Sequence, residues 1–324
     1  MSEIENLINK HVLLITGKGG VGRTTVTAFL ARAAARKGKR VVVAELPQGD
    51  DTDEASSPLG GLFNVANPST RLEPVSENIR FCLLSSKEGQ LGFLTNVMRS
   101  QRLAKAAFES EPIQKLLEIA PTFRELGIFY HFLDLYRNTV KEGNADLLIL
   151  DLPATGHAIG LTQLPHSVLR LIPTGKIAET LKEGQSILYR NSGSLEQHSG
   201  AVIVSLPEAL PLRESLDLAS ELEKQKIAVL KLIINRYPNQ TWSAEELTAV
   251  DSVIAEARDQ GKKMRGSHEY QRMRQSIGVL NSFITTMNAA SPGGATEFAP
   301  IFLHEQEGNS RQVVEGLLAQ EGQS

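Results

Sequence analysis

One segment constrains the fold more than any other: an apolar run, a glycine-rich stretch and an amphipathic run follow one another between residues 12 and 36. Val12 to Ile15 are apolar without interruption, and glycine-rich sequence follows. From Val26 to Ala34, apolar residues recur at helical spacing. The order predicts a strand, a glycine-rich loop and a helix, a unit typical of proteins built on a parallel sheet.

Further uninterrupted apolar runs follow, and helix-like stretches separate several of them. The runs are Val41–Ala44, Ile79–Leu84, Leu147–Leu150, Ala201–Val204, Val229–Ile234 and Ile301–Leu303, and the clearest helix-like stretches are Leu212–Lys224, Ala244–Arg258 and Glu269–Thr286. Continuous apolar runs suit parallel strands that are covered on both faces. The repeated βαβ order therefore predicts an α/β fold with a doubly wound, mostly parallel sheet.

The chain is predicted to be one domain, residues 1–324, that carries a helical insertion. Segment 87–142 has helical apolar spacing and no obvious strand. A shorter helix-like segment, 177–190, follows the fourth predicted strand, residues 147–150. We expect the two segments to form a helical subdomain.

Charge and composition exclude several classes of protein. A net charge of −3 and a pI near 6.2 favour no association with nucleic acid or acidic membranes. Cys82 is the only cysteine, so neither a disulfide framework nor a CxxC metal site can form within one chain. No segment approaches the ~18 consecutive apolar residues of a membrane span. We expect a cytoplasmic protein with no integral membrane segment.

The glycine-rich loop carries the pattern GxxxxG[KR]T. Between a strand and a helix, such a loop points backbone N–H groups at phosphates. It predicts a P-loop that binds ATP or ADP with Mg²⁺, in which Thr24 is a metal ligand and Arg23 replaces the usual lysine. The residues expected around the nucleotide are Gly17, Lys18, Gly19, Gly20, Val21, Gly22, Arg23, Thr24 and Thr25.

A second motif is a carboxylate at the end of the predicted strand at residues 147–150. Asp151 follows this apolar run directly, as in a Walker B motif. We expect its carboxylate to hold Mg²⁺ directly or through water.

These motifs resemble those of a known group of ATPases. GKGGVGRTT resembles the deviant Walker A loop of the partitioning, septum-site, nitrogenase-iron-protein and arsenite-efflux ATPases. The stretch DLPATGHAIGLTQLP, residues 151–165, is similar to the switch of the arsenite-efflux and tail-anchored-protein targeting ATPases, the ArsA-like family. The resemblance implies a dimer with nucleotide at the subunit interface, where Lys18 reaches the partner's phosphates, and a switch of Thr155, Gly156 and His157 that senses the γ-phosphate.

The resemblance also assigns residues to the nucleobase. Asn235, in the stretch IINR, matches the asparagine that reads the adenine edge in this family. An asparagine side chain both donates and accepts, as adenine requires. The stretch PIFLHEQEG, which begins at Pro300, is similar to the family segment that borders the base.

One expected catalytic position departs from the family pattern. Where the family has an aspartate that orients the attacking water, the closest register of AELPQ places Pro47. Either Glu45, Asp50 or Asp51 takes this role, or the subunit hydrolyses ATP slowly or not at all. Phosphoryl transfer depends on positioning and charge stabilisation, so this loss should affect turnover more than binding.

The sequence has only some of the features by which members of this family bind their substrates or clients. A single cysteine cannot supply the thiolates of an arsenite site, and the CxxC zinc pair of the tail-anchored-protein targeting ATPases is missing. Apolar residues of the insertion form either the subdomain's core or a groove for an apolar client helix. They are Leu91, Phe93, Leu94, Val97, Met98, Phe129, Phe132, Leu133, Leu135 and Tyr136.

Three functions remain open at the level of sequence. The first is a dimeric switch ATPase that acts on a protein or membrane-protein client. The second is a regulatory subunit with poor hydrolysis, paired with a catalytic paralogue. The third is a positioning ATPase of the partitioning or septum type, suggested by a basic cluster of Lys262, Lys263, Arg265, Arg272 and Arg274.

Overall fold

The computed structural model of the protein describes residues 3–46, 57–111, 121–152, 156–189, 198–238, 243–290 and 300–321. For residues 121–122, 156–162, 171, 244 and 287–290 it describes the backbone alone. The described residues contain eight strands: β1 Val12–Gly17, β2 Val41–Glu45, β3 Glu73–Ser76, β4 Ile79–Leu83, β5 Leu147–Asp151, β6 Ser199–Ser205, β7 Val229–Tyr237 and β8 Ile301–His304.

Helices lie between most of the strands. They are α1 Glu3–Ile8, α2 Arg23–Arg36, α3 Pro58–Phe63, α4 Ser86–Met98, α5 Gln101–Phe108, α6 Pro121–Tyr136, α7 Gly156–Leu171, α8 Gly175–Leu188, α9 Ala209–Lys224, α10 Ala244–Asp259, α11 Ser267–Ala290 and α12 Ser310–Glu321. A short π-helical segment, Arg137–Lys141, continues α6.

All eight strands form one sheet in the order β3-β4-β2-β5-β1-β6-β7-β8. Every neighbouring pair is parallel except β3 and β4. The predicted α/β fold is therefore confirmed, and the seven predicted strands are all present. Strand β3 was not predicted, because its sequence EPVS alternates in burial and contains Pro74, which is tolerated at a sheet edge.

Two hydrophobic cores cover the two faces of the sheet. Successive side chains of a strand point to opposite faces, so Leu13 and Ile15 of β1 join a core with α1, α2, α3 and α12. Val12 and Leu14 join the opposite core, to which α6, α7, α8, α9 and α11 contribute. Covering both faces explains why the strands read as continuous apolar runs.

The segment predicted as a helical subdomain contains α4, α5 and α6. Phe129 and Phe132 of α6 are fully buried in the same core as Leu148 of β5. Leu133 and Leu135 are buried as well. These four apolar residues belong to the core, whereas Met98, at the end of α4, is 39% exposed.

Helices α4 and α6 cross at two glycines. A Cβ added to Gly89 would lie 1.7 Å from the carbonyl oxygen of Gly127, and one added to Gly127 would lie 2.1 Å from that of Ser86. No side chain fits between backbones at these distances. The glycines are therefore required by the close approach of the two helices.

Candidate functional site

The motif residues meet at the carboxyl ends of the central strands. Asp151, the last residue of β5, is paired with Ile15 of β1 on one side and with Glu45 of β2 on the other. The glycine-rich loop follows β1, and helix α2 begins at Arg23. Ligands of open α/β sheets bind at this edge.

Two glycines set the path of the loop. A Cβ added to Gly17 would lie 2.3 Å from the carbonyl oxygen of Val204, so the loop leaves the sheet against β6. Gly22 adopts a left-handed conformation, with φ 89° and ψ 29°, immediately before α2. Gly19 and Gly20 are exposed, and nothing lies within 4 Å of a Cβ added to either. The loop is open where phosphates are expected.

Arg23 turns back under the loop. Its Nη1 donates hydrogen bonds to the carbonyl oxygens of Gly17, at 2.6 Å, and of Lys18, at 2.5 Å. The residue is only 8% exposed, and burial lowers its pKa while Asp151 raises it. Its Nε is buried and has no hydrogen-bond partner among the described residues. Arg23 therefore braces the loop from within and keeps donor capacity unused.

Thr24 and Asp151 form an oxygen pair that fits Mg²⁺. The Thr24 side chain lies beside the buried Asp151 carboxylate and lowers its pKa. Burial is the largest cause that raises the pKa of Asp151 to about 7, and Glu45 adds to the effect. A buried carboxylate with a raised pKa is stabilised by a bound cation, and hydroxyl and carboxylate oxygens are ligands that Mg²⁺ accepts.

Glu45, a candidate for orienting water, already has protein partners. Its carboxylate accepts hydrogen bonds from the Ser57 hydroxyl and, at 3.2 Å, from the Leu59 backbone N–H. The residue is 4% exposed, and burial raises its pKa. Glu45 therefore holds the start of α3. The other two candidates, Asp50 and Asp51, lie outside the described residues, as does Pro47 at the expected aspartate position.

Lys18 lies at the surface and is paired with a distant residue. Its Nζ forms a salt bridge with Oε1 of Glu214, in the second turn of α9. The lysine side chain is 47% exposed and that of Glu214 is 27% exposed. The other oxygen of Glu214 is buried without a hydrogen-bond partner among the described residues. Sequence reasoning missed Glu214, since nothing local marks a residue that contacts the loop across 196 positions.

Asn235 joins the loop to the end of β7. Its Nδ2 donates a hydrogen bond to the Val21 carbonyl oxygen at 2.9 Å, and the residue is 5% exposed. A Cβ on Gly22 would lie 2.3 Å from the same Nδ2. The residue expected to read the base is therefore in direct contact with the phosphate loop.

A cavity of about 210 Å³ lies beside Asn235 and the first turn of α2. Its lining includes Gly22, Thr25, Asn235, Arg236, His304 and Gly308. The segment after β8, which the family resemblance predicts to border the base, borders this cavity. Pro300 lies before β8, at the opposite end of that strand from His304. Of these residues, sequence reasoning did not single out Arg236 or His304.

The switch motif is described only in part. Thr155 lies outside the described residues, and Gly156 and His157 begin α7. Helix α7 follows Asp151 closely in the chain, which is the place expected for a segment that responds to nucleotide.

Comparison with known proteins identifies the family. The sequence model of the anion-transporting ATPase family matches residues 10–196, more than half of the chain, including the glycine-rich loop and Asp151. The chain belongs to the anion-transporting ATPase family. The resemblance predicted from the two motifs is thereby confirmed at the level of the family, whose curated relatives include arsenical pump-driving ATPases.

Two relatives of this ATPase show the extent of the likeness. The putative arsenical pump-driving ATPase 2 of Aquifex aeolicus is 30% identical over 256 residues, which are 70% of this chain and 80% of the relative. The arsenical pump-driving ATPase of Escherichia coli is 26% identical over 240 residues, 72% of this chain but only 35% of that protein. The chain therefore spans about a third of the latter.

A third relative belongs to a neighbouring group. The septum site-determining protein MinD of Synechocystis sp. is 23% identical over 249 residues, 76% of this chain and 72% of the relative. Within the part of the chain that the structure describes, no helix is long and apolar enough to cross a membrane.

Proposed function

We propose that this member of the anion-transporting ATPase family is a nucleotide-operated switch. It binds ATP with Mg²⁺ at the loop of residues 17–25 and acts, as a dimer with the nucleotide between subunits, on a protein or membrane-protein client. The observation that carries the proposal is the buried Asp151 carboxylate beside Thr24, next to an open glycine-rich loop. Asp151 and Thr24 would hold the metal ion, which neutralises phosphate charge when bound.

Calorimetry of nucleotide binding tests this site. We expect the wild type to bind ATP in the presence of Mg²⁺, and Thr24→Ala and Asp151→Asn each to weaken that binding on the order of 10- to 100-fold. Lys176→Ala, at an exposed position of α8, is the matched control and should bind as the wild type does. Full affinity in both Thr24→Ala and Asp151→Asn would refute the proposed metal site.

The second candidate function is a regulatory subunit that binds nucleotide and hydrolyses it poorly. It is favoured by the engagement of both Glu45 oxygens with Ser57 and Leu59, and by Pro47 at the expected aspartate position. Steady-state turnover separates the two functions. A chain that hydrolyses ATP by itself supports the switch ATPase, and turnover that arises only on mixing with a paralogue supports the regulatory subunit.

The client is proposed to contact the exposed apolar residues near α5. Met98 is 39% exposed and Leu103, on α5, is 59% exposed. Replacing both with aspartate should abolish co-purification of the client. Val253→Asp, at a position of α10 that is 51% exposed, should leave it intact. Equal loss in the two variants would exclude α5 as the docking element.

A further inference from the structure

The end of β7 contains a β-bulge. Ile234 is paired with Phe302 of β8, and the next pair joins Tyr237 to His304. Two residues of β7, Asn235 and Arg236, thus oppose one residue of β8. A bulge of this kind bends its strand and re-aims side chains, and bulges are frequent beside active sites.

Arg236 has a left-handed backbone within this bulge, with φ 53°. Three other non-glycine residues among those described have positive φ: Asn64, Arg99 and Lys226. Asn64 and Arg99 are the C-caps of α3 and α4, and Lys226 follows α9. The left-handed conformation is common at the carboxyl ends of helices. Arg236 alone among the four lies in a strand, where this conformation is strained for an arginine.

The strained residue lines the cavity beside the phosphate loop. Arg236 and Asn235 border it from β7, and Gly22 and Thr25 border it from α2. Arg236 is exposed, and no described residue forms a salt bridge or hydrogen bond with its guanidinium group. Nothing within the described protein therefore explains why an arginine, rather than a glycine, stands at this left-handed position.

We propose that Arg236 is a nucleotide-binding residue whose guanidinium group packs on the face of the base. This inference rests on the proposed binding of nucleotide at residues 17–25. Asn235 is bonded to the loop through Val21, so the cavity beyond it suits the nucleoside rather than the phosphates. A planar, weakly hydrated guanidinium group stacks on aromatic rings. The strained conformation of Arg236 is retained because the bulge directs its side chain towards the base.

Arg236→Gly tests the inference through two effects of opposite sign. Glycine adopts positive φ without strain, so we expect the melting temperature without nucleotide to rise. Loss of the guanidinium group should weaken the binding of ADP by about five- to tenfold. Lys226→Gly, with a φ of 64° at a helix end, is the matched control: it should also raise the melting temperature, and it should bind ADP with unchanged affinity.

Binding of pyrophosphate, which has phosphates but no base, distinguishes a contact with the base from a contact with the phosphates. We expect Arg236→Gly to bind pyrophosphate with Mg²⁺ as the wild type does. Equal weakening of ADP and pyrophosphate, unchanged ADP affinity, or a lower melting temperature would each overturn the inference. A wild type that binds ADP in these experiments sustains the proposed function in every such case, whereas a wild type that binds no ADP would refute both.

Discussion

At the scale of single residues, the side chain of Asn235 links the phosphate loop to the end of β7. The link depends on Gly22, because only a residue without Cβ leaves room for the Asn235 amide, which lies 2.3 Å from the position of an added Cβ. The loop and the cavity beside Asn235 are therefore built as one unit, and a change at Gly22 should affect both.

Gly22→Ala is expected to lose nucleotide affinity and stability together. The left-handed φ of 89° costs an alanine about 1–2 kcal/mol, and the methyl group displaces Asn235. Gly38→Ala is the matched control, since Gly38 has a φ of 80° and open space around its Cβ position. The control should lose only the backbone strain of about 1–2 kcal/mol, measured by urea unfolding, and keep full affinity for ATP. Equal affinities in the two variants would contradict the proposed link.

The sequence predicts functional residues that belong to short motifs. It does not predict residues whose contacts form only when distant segments pack together. The loop and Asp151 are recognisable because each follows an apolar strand within a short motif. Glu214 carries no such mark, since its contact with Lys18 exists only after α9 has packed beside the loop. Arg236 was missed because strand periodicity does not reveal a bulge.

At the scale of elements, the crossing of α4 and α6 depends on backbone contact. Gly127→Ala should destabilise the chain by about 3 kcal/mol, because the methyl group meets the carbonyl oxygen of Ser86, which cannot move without shifting α4. Gly278→Ala, on α11 with nothing within 4 Å of the added Cβ, should instead stabilise by up to about 1 kcal/mol. Chemical denaturation of both variants measures the difference, and a neutral Gly127→Ala would refute the crossing.

An ion cluster joins α8 to the π-helical segment that continues α6. Glu183 lies 2.5 Å from Arg137 and 2.9 Å from Lys141. The hydrogen bond from Arg137 is the largest cause that lowers the pKa of Glu183 to about 2. A carboxylate with a lowered pKa stabilises the folded state above its unfolded pKa, near 4.5, and this contribution is lost as pH falls towards 2.

Glu183→Gln should therefore reduce the acid sensitivity of folding. Since Glu183 is partly exposed, we expect a contribution of about 1 kcal/mol, visible as a smaller fall in the free energy of unfolding between pH 5 and pH 2. Glu179→Gln, which removes an exposed pairing with Lys176 on the same helix, should leave the pH dependence of the wild type. Identical pH profiles for Glu183→Gln and the wild type would show that the cluster contributes nothing.

Elements were predicted with unequal success for a physical reason. Strands buried on both faces are recognisable as continuous apolar runs, and the apolar residues of α9, α10 and α11 recur at helical spacing. The edge strand β3 has only one neighbour and half of its residues exposed, so it lacks the apolar signal. The assignment of residues 87–142 and 177–190 to a separate subdomain stays a prediction, although α6 shares the core of the sheet.

At the scale of the whole molecule, the pairing of Lys18 with Glu214 bears on assembly. In a dimer of the proposed kind, Lys18 would exchange this carboxylate for the partner's phosphates. Glu214→Gln removes the competing charge, so we expect dimerisation at lower ATP concentration than in the wild type, measured by light scattering. Glu179→Gln, remote from the loop, is the control. A higher ATP requirement in Glu214→Gln would show that Glu214 assists the dimer instead.

The dimer cannot be deduced from the packing of one chain, because the one residue expected to reach the partner, Lys18, is charged and 47% exposed in the single subunit. Lys18 shows this most clearly: its exposure is consistent with a role between subunits, but only the family resemblance supplies that role. The central claim is thus a nucleotide-dependent association in which Lys18 participates.

Sedimentation velocity of the protein with Mg²⁺ and a non-hydrolysable ATP analogue tests that claim most directly. The wild type should sediment as a monomer with ADP and as a dimer with the analogue. Lys18→Ala should bind the analogue and remain a monomer. A wild type that stays monomeric with bound analogue, or a Lys18→Ala variant that dimerises as the wild type does, would contradict the account.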